Sequence, residues 1–266
     1  YINGNWPNSF AIFGAINSIK KLNNHVKIVA TGLGLMPLEE VQSFTMQRVN
    51  RIISESTDLF EVRDEYSYFH LNKHNFSTKI INGYDDTFIV SIDKIVSKEQ
   101  ANNDSPAIHI SSFIKSPRDI QLISQSVEDL ANKGYKRVIF WECNIKDSDN
   151  LNELKKAIKL PSVNIKTKQL IYGQIPFSAD DYLITSRFHP HLICFRLGMI
   201  GTYLSTSSFY DFKHLSIKRL GSSFECGYAH FSPETLREVQ NNAQFSEKII
   251  VSNKHNICNK IFNYLH

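Results

Sequence analysis

The feature that most constrains the fold is an alternation of short apolar segments with longer helix-forming segments along most of the 266 residues. Segments such as "VKIV", "AIHI" and "RVIFW" are rich in β-branched and aromatic residues, as buried strands are. Strands that alternate with helices form mainly parallel sheets with helices on their faces. The sequence therefore predicts an α/β fold made of two Rossmann-like, doubly wound units.

The first half of the chain illustrates the alternation. We predict a helix around 10–22, a strand over 26–30 that runs into a glycine-rich loop, and a helix over 38–55. The segment "LFEV" predicts a strand that ends at Val62, followed by a helix from about Glu65. The segment "KIINGYDDTFIV" reads as a strand, a turn and a second strand.

The second half contains one helix that is marked at both ends. In "SPRDIQLISQSVEDLANKG", we predict Ser116 as the N-cap, Pro117 as the first helical residue and Gly134 just past the last turn. Further strands are predicted in "YKRVIFWEC", "VNIKT", "DYLITS" and "MIGTYLS". The polar segment "SKEQANNDSP" predicts a linker, which divides the chain into units 1–98 and 99–266. We expect a cleft between the units, with the last helices packing back on the first unit.

Composition excludes several classes of protein. A hydrophobic content of 42% excludes bulk disorder, and a net charge of +4 without basic blocks argues against nucleic-acid binding. The four cysteines lie far apart without a CxxC pair, which favours a reduced cytoplasmic protein without a metal site. The sequence begins at Tyr1 without methionine or a secretory signal, so we expect a fragment of a longer chain.

The segment "SRFHPH" follows a predicted strand and enters a predicted helix. The first turn of a helix attracts anions, and an arginine there matches phosphate or carboxylate with two parallel hydrogen bonds. Arg187 is thus a candidate anion ligand, and His189 a candidate acid–base group because imidazole titrates near neutrality. The alternatives are a salt-bridging arginine and a histidine that only bonds the helix start. His191 should point elsewhere and be structural.

A second candidate cluster follows the next strand. Its members are small hydroxyl residues, among them Ser205 and Ser207, and then Lys213, which suit phosphate oxygens. The alternative is an ordinary polar loop. In the first half, Gly32 and Gly34 permit close backbone approach, and Arg63 ends a strand. No third glycine completes a dinucleotide fingerprint, and the sequence has neither a Walker motif nor a G-x-S-x-G elbow.

Six segments also carry a resemblance when they are taken in order. They are "YINGNW", "VATGLGLMPLE", "LFEVRDEYSYFHL", "NGYDDTFIV", "DYLITSRFHPHLICFRLGMIGTYLS" and "FYDFKHLSIKRLG". Together they resemble the polysaccharide pyruvyl transferase family, whose two domains are arranged as in GT-B glycosyltransferases. The resemblance implies transfer of the pyruvyl group of phosphoenolpyruvate onto two hydroxyls of a sugar, which forms a ketal on a cell-surface polysaccharide, such as a capsule or exopolysaccharide, or on its precursor.

The resemblance also implies roles for individual residues. Arg63 and Arg187 would hold the phosphate and carboxylate of the donor, His189 would sit at the reacting carbon, and Lys213 would add charge to the phosphate site. Independently of the resemblance, the hydroxyls of Ser205 and Ser207 make them candidates for the donor site. Asn3, Asn5, Gly32 and Gly34 are candidates for the acceptor side. The chain departs from the family pattern at Phe188, at Pro190 and in a shortened glycine run near Gly4. The family's first strand and Gly-Asp turn, expected before Tyr1, are missing.

The implied partners follow from this chemistry. They are phosphoenolpyruvate and a sugar or lipid-linked oligosaccharide, with no metal and no further cofactor. Such an acceptor suggests a cytoplasmic protein in peripheral contact with the inner face of a membrane. Two other functions fit the same fold: a glycosyltransferase that uses a nucleotide-sugar, and a non-catalytic carbohydrate-binding domain.

Overall fold

The chain divides into two compact units. The computed structural model describes residues 7–35, 43–73, 78–95, 106–112, 116–144, 147–172, 175–178, 180–205, 207–228 and 246–265. One unit comprises Tyr1–Ser91 with Ser246–His266, and the other comprises Ile92–Phe245. Both are mixed α/β units in which all the paired strands run parallel.

The first unit holds a three-stranded sheet in the order β1-β2-β3. Its elements are α1 (Pro7–Leu22), β1 (Val29–Leu33), α2 (Ser43–Ser56), β2 (Leu59–Val62), α3 (Glu65–Lys73) and β3 (Lys79–Asn82). The predicted helix at 10–22 and the strand ending at Val62 are confirmed, whereas β1 begins three residues later than predicted. The buried core of this unit includes Ile53, Phe60 and Leu71.

One element of the first unit differs from its prediction. The second strand expected in "KIINGYDDTFIV" is a 3₁₀ helix at Asp86–Ile89. The side chain of Asp85 accepts a hydrogen bond from the backbone N–H of Thr87 at 3.0 Å. An aspartate that caps the backbone two residues on favours a turn over an extended strand, and the apolar run after it is too short to override this preference.

The second unit holds a six-stranded parallel sheet. Its elements are α4 (Ile92–Ile95), β4 (Ala107–Ser111), α5 (Pro117–Asn132), β5 (Arg137–Trp141), α6 (Asp147–Ala157), β6 (Ser162–Ile165), α7 (Thr167–Ile171), β7 (Tyr182–Thr185), α8 (Phe188–Arg196), β8 (Ile200–Leu204), α9 (Ser208–Arg219) and β9 (Glu225–Tyr228). The strand order is β6-β5-β4-β7-β8-β9. This is the doubly wound order, in which the chain reverses direction across the sheet between β4 and β7.

The core of the second unit explains why these segments become strands and helices. Ile108 and Ile110 of β4 pack with Val127 of α5 and with Leu151 and Leu154 of α6. Every residue of β4 is buried, as expected for a central strand covered on both faces. The predicted cap, proline and terminal glycine of α5 are all confirmed.

Other predictions in this region have mixed outcomes. The segment "FYDFKHLSIKRLG", for which a polar loop remained an alternative, forms α9. The short helix α7 and the strand β9 are not apparent in the apolar pattern of the sequence. The predicted linker, apart from Pro106, the opening "YINGNW" up to Trp6 and residues 229–245 lie outside the described residues.

The first unit is completed by a helix from the far end of the chain, α10 (Glu247–Leu265). Lys254 of this helix is fully buried, and its ammonium group donates to both carboxylate oxygens of Glu61 in β2, at 2.7 and 2.8 Å. It also donates to the carbonyl of Tyr84 and pairs with Asp86. A buried charge that is satisfied on all sides fixes α10 on the sheet, because removing one partner would leave the other uncompensated. Each helix in the described ranges is too short or too polar for a transmembrane segment.

Candidate functional site

The carboxyl edge of the second sheet brings four predicted residues to adjacent strands. β7 lies between β4 and β8, with Thr185 opposite Ser111 on one side and Tyr203 on the other. Residues that directly follow β7 and β8 therefore emerge at the same edge. Arg187 and His189 follow β7, whereas Ser205 and Ser207 follow β8. Ligands of doubly wound sheets bind at this edge, next to the reversal point.

The turn after β7 is held rigidly by hydroxyl groups. Thr185 Oγ1 donates to the carbonyl of Ser111 at 2.7 Å and accepts the backbone N–H of Arg187 at 3.0 Å. The buried hydroxyls of Ser112 and Ser186 are hydrogen-bonded at 3.1 Å. These bonds join the ends of β4 and β7, so the backbone at Arg187 is held by residues that precede α8.

Arg187 occupies the N-cap position of α8, and its side chain makes no cap hydrogen bond to the first turn. Its side chain is 22% exposed, and Nη2 forms an ion pair with Oδ1 of Asp147, which is 3% exposed. The other carboxylate oxygen of Asp147 accepts the backbone N–H of Asn144 at 2.9 Å. Asp147 is thus anchored at the start of α6 and orients the guanidinium group. Sequence reasoning missed Asp147, because two aspartates open this helix and nothing in the pattern distinguishes them.

His189 and His191 lie on opposite sides of the first turn of α8. His189 is exposed, and its ring meets the ring of Phe188 edge-on at 5.1 Å between centroids. His191 is fully buried. The chain departs from the family pattern at Phe188 and Pro190, and the structure accommodates both residues. Phe188 is apolar and buried, and Pro190 lies in the first turn of α8, where proline is tolerated.

The start of α9 resembles that of α8. Ser207 is its N-cap residue, with no hydrogen bond from the side chain to the first turn. Ser205 is fully buried and donates to the carbonyl of Ser207 at 3.1 Å, so it shapes the loop. Lys213 lies in the second turn, with Nζ 5.3 Å from the ring centroid of Tyr210. Because helical side chains lean toward the N-terminus of their helix, Lys213 leans toward the carboxyl edge.

Cys143 is a further group at this edge that the sequence did not single out. Its Sγ lies 3.2 Å from the hydroxyl of Ser111. Burial raises the pKa of the Cys143 thiol, although the hydrogen bond with Ser111 and the charge of Arg187 oppose this effect. The thiol is therefore protonated near neutral pH and is a poor nucleophile.

The buried face of α8 contacts α9 through two imidazole rings. The Nδ1 atoms of His191 and His214 are 2.9 Å apart, and Nε2 of His191 is 2.8 Å from the hydroxyl of Ser222. Burial lowers the pKa of His191 well below its usual value, and the neighbouring His214 lowers it further. Burial also lowers the pKa of His214, to about 3, although the backbone of Ser186 partly opposes this. Both rings are neutral near pH 7.

The predicted residues of the first unit have different surroundings. The guanidinium of Arg63 is ion-paired with Asp85 at 3.1 Å, and its side chain is 6% exposed. A Cβ atom on Gly34 would lie 2.5 Å from Nε of Arg63, and one on Gly32, whose φ is 61°, would lie 2.5 Å from the carboxyl carbon of Asp86. The space left by these glycines is thus filled by side chains of the same unit. Asn3 and Asn5 lie outside the described residues.

The described residues contain no group of three or more His, Cys, Asp or Glu side chains arranged as metal ligands. A scan against models of protein families found no match, and a search among curated proteins also found none. Among solved structures, the chain is similar to a glycosyltransferase from Rickettsia africae ESF-5, with 11% sequence identity and a TM-score of 0.48. The similarity covers 97% of this chain and 79% of that chain. Such a likeness does not establish a common function.

Proposed function

We propose that this protein is a transferase that moves the pyruvyl group of phosphoenolpyruvate onto two hydroxyls of a sugar. The observation that supports it best is the carboxyl edge of the second sheet, where α8 and α9 both begin without a side-chain cap. Arg187 lies at the first of these helix starts, and Lys213 leans toward the second. Two adjacent helix N-termini with two cations suit a small donor that carries a phosphate and a carboxylate.

The position of His189 supports the same proposal. It is exposed two residues after Arg187, so a donor held by Arg187 would have an imidazole nearby. The general acid–base help of such a group is typically worth about 10²–10⁴ in rate. The sequence resemblance adds to this reading, because the segment that contains both residues and the segment that contains Lys213 carry the most weight in it.

The proposed chemistry balances with one proton donor and one leaving group. His189 donates a proton to C3 of phosphoenolpyruvate, which makes C2 electrophilic, and a sugar hydroxyl forms the first C2–O bond. The proton lost by this hydroxyl restores His189. The C2–O bond to phosphate then breaks, and a second hydroxyl forms the other C2–O bond and gives its proton to the phosphate. Arg187 and Lys213 stabilise the charge that collects on the leaving phosphate.

The acceptor in this proposal is a sugar of a cell-surface polysaccharide or of its lipid-linked precursor. An acceptor of the second kind would bring the protein to the inner face of a membrane. Arg63 lies in the first unit, where its guanidinium is ion-paired with Asp85, and its role in holding the donor stays a prediction. No metal or further cofactor takes part in the scheme.

Ligand-dependent stability tests the proposal directly. A ligand that binds only the folded state increases the free energy of unfolding, by about 2.7 kcal/mol at one hundred times its Kd, and so raises the unfolding temperature. We expect phosphoenolpyruvate to raise the midpoint and UDP, GDP and CMP to leave it unchanged. In a phosphate-release assay with a panel of sugar acceptors, His189→Gln should retain donor binding but lose about 10²–10⁴ of the rate.

The same measurements separate the competing functions. Stabilisation by UDP, GDP or CMP but not by phosphoenolpyruvate would overturn the proposal in favour of a nucleotide-sugar glycosyltransferase. Stabilisation by sugars alone, with no effect of any donor, would support a carbohydrate-binding domain. Phosphate release that is unaffected in the His189→Gln variant would remove this residue from the reaction.

A further inference from the structure

The interface between α8 and α9 contains polar groups that the proposed reaction does not use. His191 and His214 are both fully buried, and their rings are stacked with Tyr203 of β8 at 5.5 and 4.7 Å between centroids. The ring of Phe224 also stacks with that of His191, at 4.4 Å between centroids. Burying two imidazoles costs free energy unless their nitrogens are hydrogen-bonded. An aliphatic pair would fill this space without that cost, so the polar pair requires an explanation.

The hydrogen bonds around the pair restrict the proton positions. The hydroxyl of Ser222 accepts the backbone N–H of Phe224 at 3.3 Å and lies 2.8 Å from Nε2 of His191, to which it can donate or from which it can accept. Only one of the two facing Nδ1 atoms carries a hydrogen, so one ring donates and the other accepts in the bond between them.

The pair is connected to both halves of the candidate site. His191 lies one turn after Arg187, and its backbone N–H donates to the carbonyl of Arg187. His214 directly follows Lys213 in α9. The Nε2 atom of His214 makes no hydrogen bond of good geometry within the described residues, yet the backbone of Ser186 favours a proton on this ring. A single ring-to-ring bond therefore ties together the helices that present the two proposed cations.

We propose that His191 and His214 are positioning residues, which set the spacing of the α8 and α9 N-termini and so hold Arg187 and His189 in register with Lys213. This inference rests on the proposed function for its effect on catalysis, but its structural part does not. A directional N–H···N bond fixes both distance and rotation between two helices, whereas aliphatic packing tolerates sliding. Misplacing a catalytic group by about 1 Å can cost roughly 10²-fold in rate.

Two substitutions at one position test the inference. In His214→Asn, the side-chain amide takes the place of Nδ1 and can either accept from or donate to Nδ1 of His191. In His214→Leu, Nδ1 of His191 loses its hydrogen-bond partner. Ile123→Val is the matched control, because it mildly destabilises a buried aliphatic position of α5, a helix that carries neither histidine, typically by about 0.5–1.5 kcal/mol.

We expect kcat/KM for phosphate release to fall at least about tenfold in His214→Leu, mainly through kcat, and to be largely restored in His214→Asn. Ile123→Val should leave both parameters unchanged. The NMR signals of the Arg187 side-chain N–H and the His189 ring give a second readout that needs no turnover, and they should shift in His214→Leu alone.

The outcomes distinguish the two proposals. If the wild-type protein releases no phosphate but the NMR signals shift in His214→Leu, the pyruvyl transfer is refuted and the positioning role is retained. Turnover and NMR signals that are equal in His214→Leu and Ile123→Val would refute the positioning role and leave the reaction intact. If His214→Leu fails to fold, His214→Asn decides: wild-type signals support the positioning role, and displaced signals contradict it.

Discussion

The helices α5 and α8 start at the same edge of one sheet, after the adjacent strands β4 and β7, yet their first turns differ. At α5, the hydroxyl of Ser116 accepts the N–H of Asp119, and the carboxylate of Asp119 accepts the N–H of Ser116. At α8, Arg187 takes the cap position and bonds none of the N–H groups with its side chain. The first turn of α5 is thus closed by a reciprocal pair of side-chain bonds, whereas that of α8 has an arginine at its N-cap and no cap bond from this side chain.

The buried faces of the two helices differ in the same sense. α5 buries Ile123, Val127 and Leu130 in an aliphatic core. α8 buries His191, which bonds a second buried histidine. The comparison teaches that α5 is capped and packed for stability, whereas α8 retains buried polar groups whose value must lie elsewhere.

The largest expected effect concerns the arginines in the two first turns. Arg187→Leu should lower kcat/KM for phosphate release by about 10²–10³, the usual cost of losing one preorganised donor, whereas Arg118→Leu at the exposed start of α5 should have no effect. Because Arg187→Leu leaves the buried carboxylate of Asp147 unpaired, the double variant Arg187→Leu/Asp147→Asn should recover stability without activity. Equal activities of the Arg118 and Arg187 variants would remove the functional distinction between the helices.

The second prediction concerns pH and the two buried faces. The folded pKa of His191 lies well below 6.5, and that of His214 is about 3. Below pH 6.5, both histidines therefore bind protons in the unfolded chain that they do not bind in the folded chain. Stability is therefore complete above pH 6.5 and falls as the pH decreases, by at most about 1.4 kcal/mol per pH unit for each histidine.

Urea unfolding between pH 7 and pH 4.5 measures this slope. The double variant His191→Leu/His214→Leu should show a flatter curve than the wild type, whereas Ile123→Val should shift the whole curve by a constant amount. Below about pH 4, Asp181 begins to contribute, because bonds from His109 and Ala107 outweigh burial and hold its pKa below the usual value. Parallel curves for the wild type and the double variant would contradict the neutral state of the pair.

The smallest expected effects concern the serines at two helix starts. Ser116→Ala removes a cap bond of α5 and should lower the free energy of unfolding by about 1 kcal/mol without changing activity. Ser207→Ala removes no cap bond of α9 and should change stability by less than about 0.5 kcal/mol. Calorimetry of both variants measures the difference. A larger stability loss for Ser207→Ala would show that α9 is capped after all.

Much of the fold could be predicted from local patterns, because capping residues and apolar runs act over a few positions. Ser116, Pro117 and Gly134 define α5 by themselves. The strand order of the second sheet could not be predicted, because β4 and β7 pair across more than seventy residues and no local signal records that contact. The same limit applies to the site: the start of α8 was expected, but the ion pair of Arg187 with Asp147 and the bond between His191 and His214 join separate segments.

The burial of Lys254 against Glu61 has a consequence for biosynthesis. The two residues are separated by 193 positions, and the whole second unit is encoded between them. At about 5–20 residues per second, a ribosome needs roughly 10–40 s to make that stretch. During this interval Glu61 has no ammonium partner, so the first unit to emerge is the last to be completed. The second unit can complete its sheet before α10, the last helix of the first unit, has been synthesised.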